Sequence, residues 1–193
     1  MPPDTDRLRA ALLRPAGPSS DFDLNPGIAL PPGHALRPAA VLVAIWQGRL
    51  ILTKRASHLK HHPGQIAFPG GKVDATDPSH EAAALREASE EIGLDPDNVE
   101  VLGRLAPHET VTGFAMTPVL GLVRHDFIPT AEAGEVDEVF TVPLSHVLTP
   151  ANYRVEARLW RGEWRRFYTV PYGPYYIWGA TARILRGLAE RAL

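Results

Sequence analysis

Three closely spaced glutamates form the first group in this sequence whose types and spacing could do chemistry. At about 100° per residue on a helical wheel, Glu87, Glu90 and Glu91 share one face and apolar residues occupy the other. Arg86 stands four residues before Glu90 and can pair with it along the helix surface. A solvated helix face is one interpretation. The other is a site for a hard divalent cation, because Mg²⁺ binds carboxylate oxygens and like charges packed this closely repel each other.

A basic segment precedes the glutamates along the chain. All three lysines, Lys54, Lys60 and Lys72, fall in one stretch, which also carries Arg55 and three histidines. The whole chain has 20 basic and 22 acidic residues and a net charge of −2. This balance excludes the basic surface expected of a general nucleic-acid binder. The net charge is close to zero because the basic segment, which is suited to binding phosphate, offsets the acidic segment, which is suited to binding metal.

The length and composition indicate one globular domain. The chain has 193 residues, of which 45% are hydrophobic and 22% are charged, close to the average for globular proteins. The longest apolar run, Ala39 to Trp46, is far shorter than the roughly 20 residues of a membrane-spanning helix, and the amino terminus has no signal-peptide pattern. The absence of cysteine excludes disulfides and thiolate metal sites and fits a reducing, cytoplasmic setting.

The glutamates are predicted to lie on a helix with recognisable ends. Asp77 is its predicted N-cap, Pro78 its first residue and Gly93 its C-terminal stop. Residues 61–71, before that helix, contain two prolines and three glycines and are predicted to form a loop.

The remaining elements follow from hydrophobic periodicity and turn residues. Residues 1–38 are predicted to form a short helix and an arm that pack on the main domain, residues 39–193. Helices are also predicted at residues 4–13, 144–148 and 178–193, and strands at residues 39–46, 49–54, 99–105, 115–123, 136–142, 153–160 and 164–170, with hairpin turns at Gln47-Gly48 and Arg161-Gly162. Interleaved strands and helices joined mostly by hairpins predict a mixed sheet covered by helices.

The segment from Phe68 to Leu94 reads FPGGKVDATDPSHEAAALREASEEIGL and resembles the Nudix hydrolase box. The second half of the box is intact and places its charged and glycine positions on Arg86, Glu87, Glu90, Glu91 and Gly93. The first half carries one inserted residue. Its first glutamate therefore has two candidate replacements, Asp77 and Glu81.

A second motif lies upstream and resembles the signature of the coenzyme A pyrophosphatase subgroup of that family. It begins at Ile51, includes Arg55 and Lys60, and ends at Phe68-Pro69-Gly70-Gly71. Ile51 stands for a leucine and Lys60 for an arginine, which keeps the charge but loses the planar fork of the guanidinium. Further similar segments extend the resemblance over most of residues 40–185: Met116–Val119, Glu138–Leu144 and Ile177–Ala182.

The resemblance implies a fold and an activity. The fold is α/β (α+β), the Nudix fold, with a mixed β-sheet sandwiched between helices. The activity is hydrolysis of the pyrophosphate bond of coenzyme A, or its derivatives, to 3′,5′-ADP and 4′-phosphopantetheine. The implied cofactor is Mg²⁺ or Mn²⁺, because a divalent ion neutralises the phosphate oxygens that a water nucleophile must approach.

The resemblance also implies roles for individual residues. Glu87 and Glu91 are the principal metal ligands, Glu90 assists or binds a second ion, and Arg86 orients a glutamate. Glu138 is the preferred general base, ahead of Glu135 and Glu109. The implied substrate-binding residues are Arg55, Lys60, Gly70 and Gly71, of which the two cations would contact phosphate.

Other interpretations remain open at this point. Within the same class, the substrate could be another nucleoside diphosphate derivative, such as ADP-ribose or a dinucleotide. From a different class, the chain could be a sensor that binds a nucleotide without hydrolysing it. The loop histidines His58, His61 and His62 could bind phosphate, although such clusters are more often plain surface. The aromatic residues could stack an adenine or serve in packing: Tyr172, Tyr175, Tyr176 and Trp178. A homodimer is compatible with the sequence, but no apolar stripe demands it.

Overall fold

The structure is a computed structural model that describes residues 3–28, 30, 33, 35–160 and 162–193. Its helices are α1 (Pro3–Leu13), α2 (His80–Ile92), α3 (Leu144–Val147) and α4 (Gly179–Arg191). Its strands are β1 (Ser19–Ser20), β2 (Arg37–Trp46), β3 (Arg49–Arg55), β4 (Ile66–Ala67), β5 (Gly70–Lys72), β6 (Val99–Arg104), β7 (His108–Glu109), β8 (Phe114–Val123), β9 (Val136–Pro143), β10 (Arg154–Trp160) and β11 (Glu163–Thr169). One-turn 3₁₀ helices occupy Pro96–Asn98 and Pro150–Asn152.

Nine of these strands form one mixed sheet. Its main order is β1-β7-β8-β2-β3-β4, while β5 pairs with β2, β6 with β8 and β9 with β3. The pairs β2/β8 and β1/β7 are parallel, and the other pairs are antiparallel. The central strand β2 alternates its side chains between the two faces of the sheet, as a strand buried on both sides must.

Helices cover both faces of that sheet. Ala40, Leu42 and Ala44 of β2 pack in one core with the buried alanines of α2 and its Ile92. Val41, Val43 and Ile45 point to the other face, where α4 and α1 close a larger core. The predicted mixed sheet between helices is therefore confirmed, and α2 is fixed to the sheet through its small apolar face.

The amino-terminal segment is tied to the rest of the chain by a buried polar network. β1 pairs with β7, and the Ser19 hydroxyl lies 2.9 Å from His108 Nδ1. His108 is fully buried and its Nε2 lies 3.2 Å from Asp21 Oδ1. The other Asp21 oxygen accepts the Val111 N–H at 2.9 Å. This network, with the buried Leu8 of α1, holds the arm against the sheet.

Two sequence predictions need correction. The glutamate helix begins at His80 with Ser79 as N-cap, because the Ser79 hydroxyl accepts the Ala82 N–H, whereas Asp77 is engaged elsewhere. The predicted loop at residues 61–71 contains β4 and the start of β5. The second predicted hairpin is confirmed as β10 and β11, which form a separate two-stranded sheet. Of its predicted turn, Arg161 lies outside the described residues.

No helix among the described residues is long and apolar enough to cross a membrane.

Candidate active site

Glu91 is the most buried of the three glutamates on α2, with 4% of its surface exposed. Its Oε2 accepts the backbone N–H of Gly70 at 3.0 Å, so β5 and α2 meet at this carboxylate. Burial raises the pKa of Glu91 to about 7, and the charges of Glu87 and Glu135 act in the same direction. The Gly70 hydrogen bond and the charge of Arg55 oppose that rise. A cation at this carboxylate would relieve the cost of its buried charge.

Glu87 lies one turn before Glu91 and is also largely buried. Burial raises the pKa of Glu87, against the opposing effect of its contact with Arg86, whose Nη1 lies 3.1 Å from Glu87 Oε1. The charges of Glu90 and Glu135 raise the pKa of Glu87 further. Two neighbouring carboxylates, each with a raised pKa, form a strong local demand for positive charge.

Two glycines let the backbone of β5 approach these glutamates closely. Gly70 has a φ of 153°, and a Cβ there would lie 2.5 Å from the carbonyl oxygen of Ala40. At Gly71, a Cβ would lie 2.5 Å from the Glu87 carboxylate. A side chain is therefore excluded at Gly70 by contact with the backbone, whereas at Gly71 it would displace the Glu87 carboxylate. The Gly70 N–H donates to Glu91, and Gly71 lies against Glu87, so both glycines help to position a glutamate. Contact of either glycine with substrate stays a prediction.

Arg86 connects most of the acidic groups around the helix. Its Nε and Nη2 each lie 3.0 Å from one oxygen of Asp77, a bidentate pair. Its Nη1 lies 3.1 Å from both Glu87 and Glu90, and its Nη2 donates to the Lys72 carbonyl at 3.2 Å. These partners raise the pKa of Arg86 above its ordinary value, with the Asp77 hydrogen bond the largest cause. The guanidinium therefore fixes the Glu87 carboxylate, and the orienting role that the resemblance implies for Arg86 in catalysis stays a prediction.

The structure distinguishes between the two residues that could replace the first glutamate of the motif. Asp77 takes the bidentate contact with Arg86, and its pKa is lowered chiefly by that hydrogen bond. Glu81 lies elsewhere and pairs with Arg104 at 3.0 Å. Of the two candidates, Asp77 is the one that the structure joins to the glutamate cluster.

Glu90 differs from its two neighbours in exposure. Its side chain is 60% exposed and its Oε2 rests on Arg86, four residues earlier, as predicted. The wheel placed all three glutamates on one face, but the sheet buries only Glu87 and Glu91. In the part of the chain that the structure describes, no three histidine, aspartate or glutamate side chains already converge to hold a metal ion.

The family comparison can now be set beside this geometry. The model of the NUDIX domain matches residues 36–161, more than half of the chain. The chain belongs to the Nudix hydrolase family. A protein named "Uncharacterized Nudix hydrolase NudL" from Enterobacter sp. (strain 638) is 48% identical over 156 residues, 79% of this chain and 81% of the relative. One of the same name from Salmonella paratyphi B is 47% identical over the same length and coverage.

A solved Nudix structure supports the fold. It is the cocrystal structure of the NUDIX domain of Shewanella oneidensis NrtR complexed with ADP ribose. Its TM-score is 0.52 at 18% sequence identity, and the match covers 82% of this chain and 90% of that one. The Nudix fold predicted from the sequence is confirmed, and α2 is its box helix.

The donor set on the Nudix helix fits a hard divalent ion. Mg²⁺ is commonly held by one or two carboxylates, with water and substrate phosphate in its other positions. Glu87 and Glu91 supply two such carboxylates, and each has a pKa raised by burial and by its acidic neighbours. These two residues would hold the ion, with Glu90 available at the exposed edge.

The basic segment divides into a part beside the Nudix helix and a part away from it. Arg55 ends β3, and its positive charge lowers the pKa of Glu91, so it lies within electrostatic range of the site. Its backbone N–H and carbonyl hold the loop at Gln65 and Gly64. Lys60 is exposed at the tip of that loop. Of the two predicted phosphate ligands, Arg55 is the one that the structure places near the glutamates.

The histidines of that loop are exposed, as their surface interpretation predicts. Partial loss of solvent around the His62 ring and the charges of Arg55 and His61 lower the pKa of His62, which favours its neutral form.

The three candidates for a general base have different surroundings. Glu138 on β9 accepts a hydrogen bond from the Tyr175 hydroxyl, and Phe140 stacks on the Tyr175 ring at 3.5 Å. Glu135 is exposed just before β9, and its charge contributes to the raised pKa values of Glu87 and Glu91. Glu109 lies on β7, whose backbone pairs with β8 and with the amino-terminal arm. The structure thus couples Glu135 to the glutamate pair and gives Glu138 a fixed partner.

The Tyr175 contact was not foreseen from the sequence. Tyr175 was considered only as a stacking or packing residue, and 37 positions separate it from Glu138. A tyrosine has both an apolar ring and a hydroxyl that needs a partner when half-buried, which is the one local signal that could have suggested it.

Proposed function

We propose that this Nudix hydrolase cleaves the pyrophosphate bond of coenzyme A to 3′,5′-ADP and 4′-phosphopantetheine with the help of Mg²⁺ or Mn²⁺. The observation that carries the proposal is that Arg55, which belongs to the upstream motif and ends β3, lies within electrostatic range of the buried Glu91 carboxylate. That motif, from Ile51 to Gly71, resembles the signature of coenzyme A pyrophosphatases.

The proposed chemistry is the attack of water on a phosphorus atom surrounded by negative oxygens. A divalent ion, when bound, neutralises those oxygens and lowers the pKa of a bound water. Glu87 and Glu91 would hold that ion, and Arg86 fixes Glu87 for the task. Arg55 would draw the substrate phosphates toward the helix. One water enters, one phosphoanhydride bond breaks, and the two products leave as phosphate monoesters.

We assign the proton-accepting role to a carboxylate oxygen of Glu135, ahead of Glu138. Glu135 is exposed, and its charge reaches both buried glutamates. Glu138, the residue preferred from the sequence, accepts a hydrogen bond from the Tyr175 hydroxyl, so one of its carboxylate oxygens is already engaged within the protein. Glu138 would then position the segment that carries Tyr175.

The test is product analysis with purified protein. Coenzyme A is incubated with Mg²⁺ in ¹⁸O-water, and the two products are separated and weighed by mass spectrometry. We expect 3′,5′-ADP and 4′-phosphopantetheine in equal amounts, with ¹⁸O in one of them, and no turnover in EDTA. Turnover of ADP-ribose or of a dinucleotide, with none of coenzyme A, would refute the choice of substrate.

A variant separates a hydrolase from a nucleotide sensor. Glu91→Gln keeps the shape of the side chain and its acceptance of the Gly70 N–H but removes the charge. We expect at least about a hundredfold loss of turnover, since the ion would lose one of two carboxylates. Glu100→Gln, on β6, is a control away from the Nudix helix. Undiminished turnover in Glu91→Gln would exclude α2 as the metal site.

A further inference from the structure

A cluster of arginines and aromatic rings lies on one face of the separate hairpin of β10 and β11. Arg158 and Arg165 stand opposite each other across the two strands. The Arg158 guanidinium lies 5.0 Å from the Trp178 ring centroid, and that of Arg165 lies 4.8 Å from the Trp160 ring. We call these four residues the Arg–Trp platform.

Neither guanidinium group of the platform forms an ion pair: among the residues described, neither has a carboxylate within 4.0 Å, and Arg165 Nε is buried without a hydrogen-bond acceptor. The charge of Arg165 does reach Asp21, whose pKa it helps to lower. Glu156, on the same face of the hairpin, is already engaged by the hydroxyls of Tyr176 at 2.7 Å and Thr169 at 3.1 Å. Like charges placed directly opposite each other on two strands are unfavourable unless an anion joins them.

The platform is linked through α4 and β4 to the backbone of Arg55. Trp178 immediately precedes α4, and Thr181 of that helix donates its hydroxyl proton to the Ile66 carbonyl of β4 at 3.1 Å. The neighbouring Gln65 carbonyl accepts the Arg55 N–H at 2.9 Å. The platform and Arg55 therefore lie on segments that contact each other through the backbone.

We propose that the Arg–Trp platform binds the phosphorylated nucleoside end of the substrate, so that a phosphate outside the pyrophosphate meets Arg158 and Arg165. The inference rests on the proposed function and deepens it by assigning a site to one end of the molecule. Guanidinium groups recognise phosphate through paired charge-assisted hydrogen bonds, and indole rings offer faces on which a base stacks. The neutral pantetheine end would leave both cations without a partner.

The binding test is done without metal, so that it does not depend on turnover. Isothermal titration calorimetry in EDTA compares 3′,5′-ADP with 5′-AMP, which lacks the second phosphate. The variant is Arg158→Gln, and the matched control is Arg166→Gln, an exposed arginine on the opposite face of the same hairpin. We expect Arg158→Gln to weaken the binding of 3′,5′-ADP at least about tenfold, as loss of a charge-assisted contact does. The same variant should bind 5′-AMP as wild type does, and the Arg166→Gln control should bind both nucleotides as wild type does.

A kinetic test follows the same logic with Mg²⁺ present. Arg158→Gln should raise the KM for coenzyme A without changing kcat. Its KM for 3′-dephospho-coenzyme A, which lacks the phosphate in question, should equal that of wild type. Equal binding of 3′,5′-ADP and 5′-AMP, or equal effects of the two arginine variants, would refute phosphate binding by the platform even if coenzyme A is hydrolysed. Selective binding of 3′,5′-ADP without turnover of coenzyme A would support phosphate binding by the platform and refute the proposed function.

Discussion

Gly71 lies directly against the carboxylate of Glu87, so closely that a methyl group at residue 71 would stand 2.5 Å from it. We predict that Gly71→Ala folds, because the group it meets is the end of a flexible side chain, but turns Glu87 away from its present place. The affinity for Mg²⁺ should then fall roughly 10- to 100-fold, as for other changes that misplace a metal ligand. Calorimetric titration with Mg²⁺ measures it.

Gly17→Ala is the matched control for that experiment, because a methyl group there meets no atom within 4 Å. Equal Mg²⁺ affinity in Gly71→Ala and wild type would show that Glu87 need not occupy its present position to bind metal.

Asp77 and Glu81 allow a second prediction, because only one of them touches Arg86. Asp77→Asn removes the charge from a bidentate pair and should lower turnover roughly 10- to 100-fold through misplacement of Arg86 and Glu87. Glu81→Gln, which affects only the pair with Arg104, should leave turnover nearly unchanged. Steady-state kinetics of both variants decide the matter. A larger loss in Glu81→Gln would reverse the assignment.

The start of α2 shows what local sequence can and cannot predict. Gly93 was correctly predicted as the helix stop, because its φ of 68° satisfies a requirement that belongs to the residue itself. Asp77 was wrongly predicted as the N-cap, since its carboxylate binds the guanidinium of Arg86, nine residues further along the chain. A helix-capping propensity describes one residue in isolation, so it does not account for an arginine that competes with the helix N-terminus for the same carboxylate.

The features that the sequence did not predict depend on pairings between distant segments. β1 and β7 are two residues each and pair in parallel, with 89 positions between Ser19 and His108. Neither segment has a hydrophobic period long enough to be recognised. The separate hairpin has strands of the predicted kind, but its detachment from the main sheet is a property of the whole topology. The Nudix box was recognised from its resemblance to the family motif, whereas the helical spacing of its glutamates predicted only that they share one face.

The general base can be identified by comparing two glutamates near β9. Glu135→Gln should lower kcat by roughly 10²- to 10⁴-fold, the usual contribution of general base catalysis. Glu138→Gln should cost less, because its amide can still accept the Tyr175 hydroxyl proton. Steady-state kinetics of both variants with coenzyme A measure the two losses. If Glu138→Gln loses more of kcat than Glu135→Gln, Glu138 is the base, as predicted from the sequence.

Asp21 should make the stability of the fold depend on acid pH. Burial alone would raise its pKa, but the hydrogen bond and charge of His108 and the Val111 N–H hold the pKa of Asp21 below the ordinary value of 3.8. The ionised form therefore stabilises the folded state above that value, and this stabilisation is lost as the pH falls through the folded pKa. Asp21→Asn should be less stable than wild type near neutral pH, and the difference should shrink in acid.

Urea unfolding at several pH values measures that difference. Asp6→Asn, an exposed position on α1, is the control. A destabilisation by Asp21→Asn that stays constant from neutral pH into acid would mean that the Asp21 charge is not the stabilising element.

The contacts of Arg86 bear on whether this protein needs a metal ion in order to fold. One guanidinium lies within 3.1 Å of oxygens from Asp77, Glu87 and Glu90, in a cluster that would otherwise repel itself. The chain therefore carries its own counter-charge for these three carboxylates, and we expect it to fold without a divalent ion. Metal supply would then affect the activity of the protein more than the amount of it that is folded.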